Sequence, residues 1–261
     1  MLQEISEFLA SGRKDYLDFI CSLNPASAES IIKNSERRRG FAEEKFERIF
    51  LDNGIYESVT EFDFIAFSYS ILKEYTKNEK LREIINAIET FPQNDVRVKK
   101  LRISLFLNLI YVRSGFFDVD LYKKVERKMS ELMNTVKKIV EEEKKEIISI
   151  GFDSVMFICD KKQAKKIFKR INEIIRPLKI RMRFYDKVIK FYNIIALLSN
   201  GVWEKRLLTR TDEKYEKIKN RVIDYLKKND VEGALKFLST CKDINEKKIN
   251  EYKETLRTKY G

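Results

Sequence analysis

Asn200-Gly201, set between two apolar runs, constrains the fold of this chain more than any other dipeptide in it. Asn-Gly favours the positive backbone angles of a type I′ turn, whose twist matches two antiparallel strands. The runs Val188–Leu198 and Val202–Thr209 therefore read as the arms of a hairpin, with a further strand, Lys179–Asp186, just upstream. A second hairpin is expected around Gly151-Phe152-Asp153-Ser154, between Glu146–Ile150 and Val155–Cys159. Tyr56 to Asp63 reads as one more strand. A protein with these strands and long helical stretches between them is α+β.

The helical stretches follow from apolar spacing. Residues up to about Phe50 read as helices, with Ser27 or Asn24 as a cap and Ile31, Ile32, Phe41, Phe46, Ile49 and Phe50 as apolar positions. Further helices are expected at Glu79–Thr90, Val96–Arg113 and Lys161–Ile175, the last closed near Pro177. Val119, Tyr122, Val125, Met129, Met133, Val136 and Val140 recur at helical spacing and mark a long amphipathic helix that would back a sheet. From Asp212 onward the pattern is helical again, with Asp230 as the cap before VEGALKFL. The expected segments are 1–50, a helical lead; 51–211, a sheet-bearing domain; and 212–261, a helical domain.

Lys and Arg outnumber Asp and Glu by 53 to 41, a net charge of +12. That excess favours an anionic partner such as nucleic acid; a solvated surface rich in Lys and Glu would give the same composition. The sequence has no histidine, which excludes His-based acid–base catalysis and most zinc or haem chemistry. Three cysteines, far apart, form no disulfide framework or zinc spacing, and point to a reducing cytoplasm. The acidic N-terminus reads as no signal peptide, and no apolar run is long enough for a membrane span.

Two carboxylates stand at strand ends: Asp63, closing GIYESVTEFDF, and Asp153, in the turn of EIISIGFDSVMFIC. Carboxylates on adjacent strand ends can hold a pair of Mg²⁺ ions that clamp the attacking and leaving oxygens of a phosphoryl transfer. Taken alone, Asp63 reads more readily as the cap of the helix after its strand, and Asp153-Ser154 is ordinary turn chemistry.

The context of these carboxylates resembles the palm of family B DNA polymerases, mainly the archaeal branch. Those enzymes carry G-x-Y-x-x-V leading into D-F-x-S-L-Y-P-S-I. Here Gly54, Tyr56 and Val59 precede DFIAFSYSI, so Asp63, Phe64, Ser70 and Ile71 match. Ser68 stands where the family has the Tyr that packs under the incoming sugar, and Tyr69 replaces a Pro. At the turn the family has Y-G-D-T-D-S. Asp153 and Ser154 match its second Asp and its Ser, whereas Gly151 replaces the first Asp. The resemblance implies that Asp63 and Asp153 are the catalytic, metal-ligating pair, in an eroded field.

A third family element, K-x-x-x-N-S-x-Y-G, aligns with SLFLNLIYV, so Asn108 and Tyr111 match while Ser104 replaces the triphosphate-binding Lys. Ser68, Asn108 and Tyr111 are then the implied nucleotide-binding residues. A Ser cannot offset charge developing on phosphate. Only Leu72 to Ile103 remains for the fingers, which would be reduced to a stub. The fourth element, K-x-Y, is Lys190-Phe191-Tyr192, which the family uses to hold the primer duplex. Arg181, Arg183 and Lys187 lie beside it; Lys179, Arg181 and Arg183 alternate with Ile180, Met182 and Phe184, giving one basic and one apolar strand face. Arg210 and Asp212 echo an R-R-D run, and the following helical segment resembles the start of a thumb. Lys190, Tyr192, Arg181, Arg183, Lys187 and Arg210 are the implied DNA contacts.

The resemblance runs from about Gly40 to Leu238 and implies a palm with reduced fingers and a C-terminal thumb, lacking the family's N-terminal and exonuclease domains. The leading expectation is a DNA-binding, catalytically degenerate paralogue with little or no nucleotidyl transfer of its own, and with Mg²⁺ bound weakly or not at all. It would act on primer–template or damaged duplex as an accessory in replication or repair. The second expectation is a weak or split Mg²⁺-dependent DNA polymerase completed by another polymerase subunit or a separate exonuclease-bearing chain. The third is an interaction module that has abandoned DNA.

Overall fold

The computed structural model describes residues 1–39, 48–92, 95–175, 178–209, 211–241 and 244–261. Phe41, Phe46, Pro177 and Arg210 lie outside them. The chain forms two compact units: one of Met1–Glu47, Phe64–Val136 and Ile175–Ile180, the other of Arg48–Asp63, Lys137–Ile174 and Arg181–Gly261. The division does not follow the expected segment ends at 50 and 211. The first helices group with the region after Asp63, and the last helices group with the sheet.

The first unit is helical among its described residues. It contains α1 (Leu2–Ala10), α2 (Tyr16–Leu23), α3 (Ala28–Arg39), α4 (Phe67–Tyr75), α5 (Glu79–Glu89), α6 (Val96–Leu107) and the start of α7 (Val119–Glu142). In α5, Leu81, Ile84, Ile85 and Ile88 recur on one face and are buried, and the Asn78 side chain caps the helix by accepting from the Leu81 N–H at 3.0 Å. α2 and α4 both pack on α6. The helix expected over Val96–Arg113 stops at Leu107 and passes through one tight turn, Asn108–Ile110. It stops because Pro25 and Ser114 form a β-bridge and the Ala26 N–H donates to the Arg113 carbonyl, drawing the chain out of the helical path.

The second unit holds a six-stranded sheet in the order β2-β3-β1-β4-β5-β6. The strands are β1 (Gly54–Phe64), β2 (Ile147–Ile150), β3 (Ser154–Ile158), β4 (Ile180–Phe191), β5 (Ile194–Ser199) and β6 (Val202–Leu207). Each pairing with a described register is antiparallel. Asn200 (φ 51°) and Gly201 (φ 78°) form the expected turn, with Ser199 opposite Val202.

The expected single run Val188–Leu198 is two strands. β4 continues to Phe191, and the chain reverses at Tyr192-Asn193 into β5. Tyr192 adopts φ 55°, a conformation that costs a bulky residue about 1–2 kcal/mol. Tertiary contacts offset that cost. Its N–H donates to Asn53 Oδ1 at 2.6 Å, its hydroxyl lies 2.9 Å from Thr255 Oγ1, and its ring packs on Tyr252.

One sheet face carries Phe62 and Phe157, against which Phe168 of α8 (Lys161–Ile174) packs with its ring centre 5.7 Å from that of Phe62. Ile189, Phe191, Ile194 and Ala196 form one apolar core with Ile218, Val222, Ile223 and Leu226 of α9 (Glu213–Leu226), Leu238 of α10 (Val231–Thr240) and Tyr252 of α11 (Glu246–Lys259). That shared core is why the residues beyond Asp212 belong with the sheet. The other face carries Val59, Met156, Tyr185, Val188, Ile195 and Leu197.

Candidate functional site

Alternation along β1 puts Val59, Glu61 and Asp63 on the face of Met156 and Tyr185. β1 and β3 pair with Asp63 directly opposite Ser154, so Asp153 follows one residue outside the last pair of the ladder. Its turn closes through the Gly151 N–H, which donates to the Ser154 carbonyl at 2.8 Å. Phe152 and Asp153 occupy the exposed tip, and the Arg48 guanidinium lies 3.5 Å from the Phe152 ring centre. The chain thus brings the two carboxylate positions, 63 and 153, to one end of one pair of strands.

The electrostatic surroundings of Asp63 are cationic. Arg183 Nη2 lies 3.2 Å from Asp63 Oδ2, and Arg181 Nη1 lies 4.0 Å from the same oxygen. Arg183 also bridges to Glu61 Oε2 at 3.1 Å. Glu61 is the centre of a buried network, with only 7% of its side chain exposed. Arg206 Nη1 donates to Glu61 Oε1 at 2.9 Å, the Tyr185 hydroxyl donates to Oε2 at 2.6 Å, and Arg206 Nη2 donates to the Tyr185 hydroxyl at 2.6 Å. Burial pushes the Glu61 carboxyl up, but the hydrogen bonds from Arg206 and Tyr185 and the charges of Arg206 and Arg183 outweigh it and hold the group below its usual range. Burial and the Glu61 carboxylate push the Tyr185 phenol up to about 12. The Arg206 guanidinium is raised: its burial acts downward, and its contacts with Glu61 more than cancel that.

Sequence reasoning passed over Glu61, Tyr185 and Arg206. A signal for Glu61 was present, since it lies two residues before Asp63 in a strand and must share its face. No local signal marks Arg206, whose place follows from the register of β4, β5 and β6.

A two-Mg²⁺ centre needs several carboxylate oxygens facing the ions. Here Asp63 faces a guanidinium, and Gly151 supplies no donor. Among the described residues no three His, Cys, Asp or Glu side chains come together as a metal site. The donor set does not fit such a centre.

The other expected site residues take these places. Arg181 is 51% exposed at the end of β4. The Lys187 ammonium donates to Asn229 Oδ1 at 2.8 Å. Lys190 is half-buried and donates to the Leu51 carbonyl, and burial pushes its ammonium down. Tyr192 is built into the core with α11. Ser68, on α4, Asn108 and Tyr111 all belong to the helical unit. Asn108 is buried, its Nδ2 donating to the Ser104 carbonyl at 2.8 Å and the Leu17 carbonyl at 3.2 Å. The Tyr111 hydroxyl donates to Asp18 Oδ1 at 2.9 Å. α2 therefore engages the polar groups of both.

No protein-family model and no curated protein matches the chain. Among solved structures, the family B DNA polymerase from the hyperthermophilic archaeon Pyrobaculum calidifontis aligns with 81% of this chain, at 12% identity and a TM-score of 0.46. The alignment covers 38% of that polymerase, well under half of its length. This is a weak structural resemblance. No helix among the described residues is long and apolar enough to cross a membrane.

Proposed function

We propose that this chain is a nucleic-acid-binding protein derived from a polymerase palm and thumb, with little or no nucleotidyl transfer of its own. It binds primer–template or damaged duplex DNA and serves another polymerase chain as an accessory subunit. The observation that carries the reading is the pairing of Asp63 with Arg183 at 3.2 Å, across the ladder from the turn that holds Asp153. The carboxylate positions that a metal-dependent transferase would use lie at the same end of the β1–β3 ladder, yet a cation of the chain itself sits against one of them. Gly151 in place of a carboxylate and Ser104, buried in α6, in place of a phosphate-binding cation point the same way. The net charge of +12 supplies long-range attraction for a polyanion. Of the strand cations, Arg181 is the most open to a phosphate; Lys187 and Lys190 would have to release Asn229 and Leu51 first.

The second reading, a weak or split Mg²⁺-dependent polymerase, is favoured by the same adjacency of Asp63 and Asp153. The experiment that separates the two is primer extension with Mg²⁺ or Mn²⁺, run beside duplex binding measured by fluorescence anisotropy. The expected result is saturable, salt-sensitive binding without extension. Extension by the wild type that disappears in both Asp63→Ala and Asp153→Ala would establish the enzyme. Absence of binding at low salt would leave a module that has abandoned DNA. Co-purification with an exonuclease-bearing chain would identify the partner.

A further inference from the structure

We infer that Arg183, supported by Arg181, is a built-in replacement for a divalent cation at Asp63, so that this end of the sheet is neutralised by the protein and takes up no metal. The inference rests on reading Asp63 as the remnant of a metal-binding carboxylate, and it concerns ion binding, not DNA.

Three features carry it. On this face two carboxylates, Glu61 and Asp63, meet three guanidiniums, those of Arg181, Arg183 and Arg206. Glu204 also lies 3.2 Å from Arg206, so these three carboxylates and three guanidiniums balance, and a dication approaching Asp63 finds that carboxylate already offset by Arg183 at 3.2 Å and Arg181 at 4.0 Å. Arg183 is also not free to swing away. It joins Asp63 to Glu61, and Glu61 is fixed in turn by Arg206 and the Tyr185 hydroxyl. Displacing the guanidinium would leave a buried carboxylate with one cationic partner fewer, which such networks resist. Finally, Gly151 brings no carboxylate of its own to the turn that carries Asp153.

The test is a Mn²⁺ titration of the full chain, read by electron paramagnetic resonance of the free ion. The variants are Asp63→Asn, Arg181→Gln/Arg183→Gln and that pair with Asp63→Asn added. Near-ultraviolet circular dichroism reports whether each is folded. The expected result is that the wild type binds Mn²⁺ no more tightly than Asp63→Asn. The double arginine variant gains one site at least tenfold tighter, and Asp63→Asn removes it. Binding by the wild type that is lost in Asp63→Asn overturns the inference, and this comparison stands even if the arginine variants do not fold. A folded double variant that gains no Mn²⁺ site overturns it too, because something other than the arginines would then be excluding the ion. Duplex affinity, measured on the wild type alone, reports separately on the DNA-binding proposal.

Discussion

At the scale of single residues, Glu61 has the most at stake. Removing it leaves Arg206, Arg183 and the Tyr185 hydroxyl without their common acceptor on a largely buried face. Glu61→Ala is expected to cost about 3 kcal/mol, because breaking one partner out of a buried ionic network strands the others; urea denaturation measures it. The pH dependence has a definite sign. The folded-state carboxyl is depressed, so its contribution is complete above the ordinary value of 4.5 and is lost as pH falls through the lower folded value. Tyr185 acts at the other end: its neutral phenol contributes fully below pH 10 and loses that contribution as pH rises through about 12. Glu61→Gln should therefore flatten the acid limb of the stability curve; an unchanged limb would mean that another carboxylate controls it. Part of this cluster was legible in the sequence. Asp63 and Asp153 stand at recognisable strand ends, and the alternation of Arg181 and Arg183 predicted a basic strand face. What the alternation could not give was the sign of the facing strand: that face meets Glu61 and Asp63, so Arg183 is spent on them while Arg181 stays half exposed.

Among the elements, the two turns of the β4-β5-β6 meander behave differently. Asn200-Gly201 was readable because its chemistry matches its backbone: φ is 51° and 78°, and a Cβ at Gly201 would meet nothing within 4 Å. The cost of filling it is thus conformational. Gly201→Val is expected to lose about 1–2 kcal/mol, whereas Asn200→Gly stays within about 0.5 kcal/mol of the wild type; thermal unfolding at one pH compares them. The Tyr192-Asn193 turn was invisible because a tyrosine in the left-handed region is no local turn signal. It is held by Asn53, Thr255 and Tyr252, residues remote in sequence. The same logic explains the early end of α6. Apolar spacing ran on through Ile110, and a bridge between Pro25 and Ser114 decided where the helix stopped. Elements with strong internal periodicity, such as α7, could be read directly, whereas ends set by distant partners could not.

For the whole molecule, the question is where a net charge of +12 acts. α8 is a distinct reservoir: Lys162, Lys165 and Lys169 are exposed, while Ala164, Ile167 and Ile171 are buried beneath them. Yet α8 packs through Phe168 on Phe62, on the sheet face opposite Asp63 and Arg183. A duplex bound along the Arg181 face would not touch those lysines, and their influence would be limited to steering over about one Debye length, roughly 8–10 Å. Contacts and steering have different salt signatures. Each neutralised phosphate contributes about −0.9 to the slope of log affinity against log salt. About five such contacts would make binding fall roughly 500-fold between about 50 and 200 mM salt. Arg181→Gln should then reduce the slope by about 1, while Lys162→Gln/Lys165→Gln/Lys169→Gln leaves it within about 0.5 and mainly slows association at low salt. The reverse result, with the slope following the α8 lysines and indifferent to Arg181, would place the polyanion on the helical side of the sheet. The carboxylate and arginine cluster would then be an internal brace with no part in binding.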